Sequence, residues 1–445
     1  MTKASAAIII PGKKDSEGPY TLLRVGGLPL LDRQLFGLYY HGVKKAYILD
    51  PKEALRKWRF ERKPEDMEIE VVETFPALEE EFYLVRGDVV FHKRFFETTK
   101  PLPSSKGLTL LTGKPADGHK WWTKSDGFPI LEQDHYVGFA RVGHGHIPAL
   151  SRALEVDAEN GDLKLFTQLS KTKDCELMAG PGIFFRRIDS RADTYQAGTL
   201  LFHSLRKPQD GIVARTFNRP MSLPVSRVLA VLPVTPNQLS VINGFFAIAA
   251  GFFLAFGHHL MGLSFYTAGL LGGIFMQACS VYDGCDGEIA RVKFQFTHFG
   301  DWLDTIIDDI TNCIFFAGVA AWAYLSTGQT RFIYMGIAAF VGQWIANLVM
   351  YYFLIKVAGT GNNQDYKVGF GKDEEGGLSG RILDKLKYLT KRDFHLFFFF
   401  LLGAVGRLDI GAYLIAISAS IAGTILGLQH LILLKNGLPT SEEGK

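Results

Sequence analysis

Hydrophobic and polar positions divide the chain into two parts with different patterns. Up to about residue 205, short apolar runs alternate with polar stretches, as in a water-soluble domain. After about residue 238, the apolar runs reach membrane-spanning length. In the first part, residues 6–11 form an apolar run ending in Pro-Gly, which predicts a first strand and a turn. Residues 30–41 predict a helix and residues 46–50 a second strand. Residues 82–85 and 89–91 flank Arg86-Gly87-Asp88 as strands around a turn, and residues 182–185 read as a further short strand. Strands alternating with helices predict an α/β domain with a largely parallel sheet.

In the second part, length and apolarity predict six membrane helices, at residues 239–256, 263–282, 302–325, 332–355, 394–405 and 410–434. Arg407 and Asp409 cut the fifth one short. Residues 206–218 are a polar linker. Residues 220–233 are too short to span and mix Leu223, Val228, Leu229, Val231 and Leu232 with Ser222 and Arg227. They read as an interfacial helix with arginines at headgroup level, or else as a packed connector. The expected domains are therefore 1–205, a linker with interfacial helix over 206–237, and a membrane domain over 238–445.

Charge sets the orientation. Arg227, Arg291, Lys293 and the basic residues between 356 and 392 fall on one side of the predicted spans. Cytoplasmic loops carry the excess of Lys and Arg, so both termini and that side are expected to be cytoplasmic. The N-terminus has no apolar run leading to a small-residue cleavage site, which argues against a signal peptide.

Residues 281–311 break the apolar pattern. They hold six aspartates between two apolar segments. Six charges at full bilayer depth would cost about 15–20 kcal/mol on insertion scales. They are therefore expected near one membrane face, in a wet cavity with bound cations. Asp283, Asp286, Gly287 and Ala290 share one helix face, and so do Gly300, Asp304 and Asp308. Gly284 and residues 292–299 allow a break between two helices. Converging carboxylates suit Mg²⁺ or Mn²⁺, hard cations that take oxygen ligands. Asp301 and Asp309 lie off the pattern and read as solvated or supporting groups.

Composition adds exclusions. A net charge of +3 over 445 residues is too mild to argue for nucleic acid. The four cysteines have no paired spacing, so no disulfide framework is expected.

The run Asp283-x2-Asp286-Gly287-x2-Ala290-Arg291-x8-Gly300-x3-Asp304-x3-Asp308 resembles, without a gap, the signature of the CDP-alcohol phosphatidyltransferases. Asn218-Arg219-Pro220 and Thr235-Pro236-Asn237 resemble the segment before that family's first membrane helix. The resemblance implies a phosphotransferase of phospholipid synthesis that moves a phosphoryl-alcohol group, phosphatidyl here, from a CDP-alcohol to a polar alcohol and releases CMP. It implies two divalent cations on Asp283, Asp286, Asp304 and Asp308. Asp308 is either a metal ligand or the general base. Gly287, Ala290, Arg291, Gly300 and Asn237 would bind the CDP-alcohol. Lys391 and Arg392 would either bind an anionic acceptor or anchor the helix at the membrane. The resemblance also implies a homodimer.

The first part weakly resembles the sugar-nucleotide cytidylyltransferases, a Rossmann-type nucleotidyltransferase fold. Gly27-Leu28-Pro29-Leu30-Leu31 and the pair Gly87-Asp88, which binds metal in that family, carry the likeness. The glycine-rich loop is damaged, reading Pro11-Gly12-Lys13-Lys14-Asp15-Ser16-Glu17-Gly18, and implies an inactive domain. Two alternatives stay open. One is a bifunctional inositol-phosphate cytidylyltransferase and di-inositol phosphate synthase. The other is a divalent-cation transporter, since acids within a membrane often mark ion paths.

Overall fold

The computed structural model describes residues 4–12, 14–50, 55, 58–91, 95, 108–113, 129–131, 134–148, 150, 175–179, 185–206, 210–361, 363 and 392–436. The chain divides into two compact units, Met1–Leu205 with Val292–Phe294, and Arg206–Arg291 with Gln295–Lys445.

The first unit is built on an eight-stranded sheet. Its strands are β1 (Ala6–Ile10), β2 (Lys45–Leu49), β3 (Glu68–Val72), β4 (Phe82–Arg86), β5 (Leu108–Gly113), β6 (Pro129–Leu131), β7 (Asp134–Val142) and β8 (Cys175–Ala179). They lie in the order β8-β5-β7-β4-β1-β2-β3, with β6 on β7. β1 is apolar throughout because both its faces are covered. Ala7 and Ile9 enter one core and Ile8 and Ile10 the other. Helix α1 (Leu30–His41) packs Leu31, Leu35 and Leu38 against the first of these cores. It ends at Gly42, whose φ of 101° suits a residue without a Cβ.

β3, β2, β1 and β4 run parallel, as expected. β7 departs from expectation, because it pairs antiparallel with both β4 and β5. The direction of a strand depends on the side from which the chain returns, which strand composition does not encode. The strand expected over residues 182–185 instead covers Phe185–Arg187 and pairs with Val89–Phe91. Helix α2 (Asp193–His203) closes the unit.

Around Gly87-Asp88 the first unit is shut. Arg86 donates to both Asp88 oxygens, from Nε at 2.9 Å and Nη2 at 2.7 Å. Both side chains are buried, at 3% and 0% exposure. A Cβ added at Gly12 would fall 1.8 Å from the Asp88 carboxyl carbon, so the first turn rests directly on that side chain. The same turn is tied down by Arg191, which donates to Asp15 at 2.7 and 3.0 Å.

The second unit is helical. Its elements are α3 (Arg219–Val231), α4 (Pro236–Met261), α5 (Phe265–Lys293), α6 (His298–Thr327), α7 (Arg331–Phe353), α8 (Arg392–Ala404) and α9 (Leu408–Asn436). Four segments are long and apolar enough to cross a membrane: Pro236–Met261, His298–Thr327, Arg331–Ala358 and Leu408–Ile432. The other two expected spans fall short of that standard among the described residues. α5 carries its acids within the helix, and α8 has 13 residues. The expected break between the two acidic helices falls within residues 292–299, between Lys293 and His298, while Gly284 lies inside α5. In α3, Met221, Val225, Val228 and Val231 are exposed while Ser222 and Ser226 are buried along with Leu223 and Ala230. Apolar side chains turned outward, over an inner face that holds two serines, suit a lipid surface rather than water.

Candidate active site

Helix α4 starts at a fixed point. The Thr235 hydroxyl accepts from the Gln238 amide at 3.3 Å, and Gln238 Oε1 accepts from the Thr235 amide at 3.0 Å. This reciprocal cap, with Pro236 at the first helical position, explains the Thr-Pro-Asn run. It puts Asn237, Ser240 and Asn243 at three-residue spacing on one side of α4. α6 starts from Thr297, whose hydroxyl accepts from the Gly300 amide at 3.0 Å.

A cavity of about 870 Å³ is walled by α5, α6, the segment from Asp210 to Ser222 and the start of α8. Asp283, Asp286, Asp304 and Asp308 all line it. One oxygen from each of Asp283, Asp304 and Asp308 lies within 4.8 Å of the other two. Asp286 stands just outside that trio. It is 6% exposed, and its Oδ2 accepts from the Ser240 hydroxyl at 2.5 Å. Asp283 accepts from Asn243 Nδ2 at 3.2 Å. A donor set made only of carboxylate oxygens fits a hard divalent cation and not a soft one.

The small residues of the motif line a second recess of about 70 Å³. Asn237, Gly287, Ala290 and Gly300 meet there beside Asp286 and Asp304. Gly300 has to be glycine in this arrangement, because a Cβ would lie 2.9 Å from both Asn237 Oδ1 and the Thr297 hydroxyl. Arg291 lines the larger cavity, with Nη1 3.1 Å from where a Cβ on Gly287 would stand.

Arg392 also reaches this cavity, but it rests on the carboxylates. Its Nη1 lies 3.1 Å from Asp283 and 2.5 Å from Asp308. Lys391 falls outside the described residues, as does most of the glycine-rich stretch that follows Gly359. Asp301 borders the cavity and is exposed. Asp309 is not solvated, since it is 8% exposed and accepts from the Tyr351 hydroxyl of α7. Its offset from the motif face turns it toward the neighbouring helix, a contact invisible in the periodicity of α6 alone.

Three polar contacts were not anticipated. Ser240 and Asn243 brace the acids from α4, and the third contact is buried Glu288. Glu288 accepts from Ser222 at 2.8 Å and Ser226 at 2.6 Å, and pairs with Arg219. Arg219 is held in turn by Asp210 at 3.0 Å. This ties the α3 segment to the acidic helix. The available signal was polar side chains at three-residue spacing in otherwise apolar helices, where each polar group needs a partner.

Residues 233–426 match the family model described as CDP-alcohol phosphatidyltransferase. The second unit carries a CDP-alcohol phosphatidyltransferase domain. The chain is accordingly a transferase, and with four candidate spans it is a membrane protein. Enzymes of this family are generally dependent on a divalent cation, in keeping with the carboxylate trio. The chain is 28% identical over 336 residues to a "Bifunctional IPC transferase and DIPP synthase" of Aquifex aeolicus, covering 68% of this chain and 72% of the relative. It is 28% identical over 142 residues to a "Phosphatidylinositol phosphate synthase" of Corynebacterium glutamicum, covering 32% and 59%. The inositol-1-phosphate CTP transferase from T. maritima aligns with 46% of this chain and 99% of its own at 14% identity, with a TM-score of 0.31.

Proposed function

We propose that the CDP-alcohol phosphatidyltransferase domain holds two divalent cations, Mg²⁺ or Mn²⁺, on Asp283, Asp286, Asp304 and Asp308. The approach of Asp283, Asp304 and Asp308 to within 4.8 Å of one another carries this reading. Bound there, the cations would neutralise the diphosphate of a CDP-alcohol and the charge that develops on the leaving CMP. The recess at Asn237, Gly287, Ala290 and Gly300 would take the CDP part, and Arg291 the diphosphate. Asp308 would accept the proton of the acceptor hydroxyl. The acceptor oxygen then bonds to the phosphorus of the alcohol, the bond from that phosphorus to CMP breaks, and CMP departs.

The donor in this reading is a CDP-diacylglycerol-type lipid, a choice that the exposed apolar side chains of α3 support. The acceptor is a phosphorylated polyol of the inositol phosphate class. Arg392, released from Asp283 and Asp308 once cations take those carboxylates, would bind its phosphate together with Lys391. Six spans would follow from length and apolarity, and the Lys and Arg distribution would set both termini and the acids on the cytoplasmic side. The resemblance adds a homodimer. Reporter fusions at the C-terminus and light scattering in detergent test these two points.

The first unit is inactive as a cytidylyltransferase in this reading, because the Arg86–Asp88 pair leaves no free carboxylate for a metal. A second reading has it making a CDP-inositol donor. That one draws on the Aquifex aeolicus relative, whose aligned region at 68% of this chain is longer than the second unit.

Purified protein in vesicles, given Mn²⁺ and either CDP-diacylglycerol or CDP-inositol, should release CMP when an inositol phosphate is added. EDTA should abolish the release. No CMP with either donor and any polyol would overturn the proposal.

A further inference from the structure

The four acids of the larger cavity come from α5 and α6, and a third helix governs two of them. Ser240 and Asn243 stand one helical turn apart on α4 and are 4% and 2% exposed. The Ser240 hydroxyl donates to Asp286 Oδ2 at 2.5 Å, and Asn243 Nδ2 donates to Asp283 Oδ1 at 3.2 Å. Neither residue belongs to the motif spacing. Each sits in an apolar helix, where an unpaired hydroxyl or amide is unfavourable; the Ser240 hydroxyl also has the Pro236 carbonyl at 3.3 Å, but Asp286 is the nearer acceptor. Asp304 and Asp308 have no such brace from α4; Asp308 meets Arg392 instead.

The second observation concerns the amide oxygen of Asn243. Oδ1 is buried and has no hydrogen-bond partner among the described residues. A buried acceptor without a partner costs about 1–3 kcal/mol. A proton-bearing group on the side of the amide turned from Asp283 would satisfy it. Rotating the amide would exchange one unmet need for another, because the nitrogen would then face away from Asp283.

We propose that Ser240 and Asn243 are positioning residues that set the divalent-cation affinity of the centre. Ser240 holds Asp286 in place, and Asn243 holds Asp283 through its Nδ2, so that both carboxylates are set before a cation arrives. This rests on the metal-centre reading above. Partners of this kind around metal ligands are commonly worth 10–100-fold in affinity.

The test is direct Mn²⁺ binding to the full chain in detergent, followed by electron paramagnetic resonance without substrate. Ser240→Ala and Asn243→Ala are each expected to weaken Mn²⁺ binding about tenfold or more. Ser240→Thr, which keeps the hydroxyl, should restore it to within about threefold. Thermal melting shows whether each variant folds. If Asn243→Ala fails to fold, Asn243→Ser, smaller but still polar, takes its place with the same expectation. Asp304→Asn, in the carboxylate trio and not braced from α4, separates the two levels. Unchanged Mn²⁺ binding in Asp304→Asn overturns the metal-centre reading itself. Loss of binding there, with Ser240→Ala and Asn243→Ala at the native affinity, overturns the positioning role alone.

Discussion

Asp308 stands where two demands meet, since its oxygen belongs to the carboxylate trio and also faces Arg392. Replacing it with Asn keeps shape and hydrogen bonding but removes the charge and the proton acceptor. Asp308→Asn should therefore lower CMP release by about 10²–10⁴-fold while the melting temperature stays near native. Full CMP release by this variant would exclude Asp308 as the base. Asp32 in the first unit shows the opposite use of a carboxyl. Burial pushes it up to about 6, although the amides of Glu61 and Arg62 donate to it at 3.1 Å each and lower it in part. A carboxyl raised in the folded state adds stability while protonated, and that stability is lost as pH rises through the folded value. The first unit should therefore lose on the order of 1–2 kcal/mol between about pH 4 and pH 7. Asp32→Asn should flatten this dependence, as read by urea melts at a series of pH values. An unchanged slope would show that other groups set it.

At the scale of elements, the site depends on how closely α4 and α6 approach. A Cβ at Gly251 would meet Ile314 Cγ2 at 2.5 Å, and one at Gly318 would meet the Gly251 Cα at 3.3 Å. Small residues at this crossing let the two backbones come together, as in other membrane helix pairs. The same α4 delivers Ser240 and Asn243 to the acids. Gly251→Val should force the helices apart and cost about 1–3 kcal/mol. CMP release should fall with the melting temperature, although residue 251 lies more than a full helical turn from Asn243. A variant with native activity and a native melt would mean that the crossing tolerates a side chain. At its other end, α4 is fixed by the Thr235 cap, and α3 is fastened to α5 through Glu288.

At the scale of the whole molecule, the two units divide the chemistry unevenly. The cavity with its acids and arginines lies entirely in the second unit. In the first, Asp88 is held by Arg86 and covered at Gly12. The chain should release no pyrophosphate from CTP, inositol phosphate and Mg²⁺. It should release CMP only when a finished CDP-alcohol is supplied. Pyrophosphate release above that of a heat-treated control would show that the first unit works and favour the bifunctional reading. If no pyrophosphate appears, a reaction that activates an alcohol with CTP must precede this one on another protein.

Much of this was legible from residue order. The period of apolar positions placed α1 at residues 30–41 and marked the apolar segments of the second unit, because burial in a core or a bilayer demands side chains of one kind at fixed intervals. The spacing of Asp283, Asp286, Asp304 and Asp308 put each pair on one helix face, because the α-helix repeats every 3.6 residues. Periodicity within one element says nothing about which element lies opposite. Only the tertiary structure brought Ser240 and Asn243 to the acids, Arg392 to Asp308, Tyr351 to Asp309 and Arg86 to Asp88. It also fixed the reversed direction of β7, since strand direction and cross-element pairing arise from how the chain returns in space.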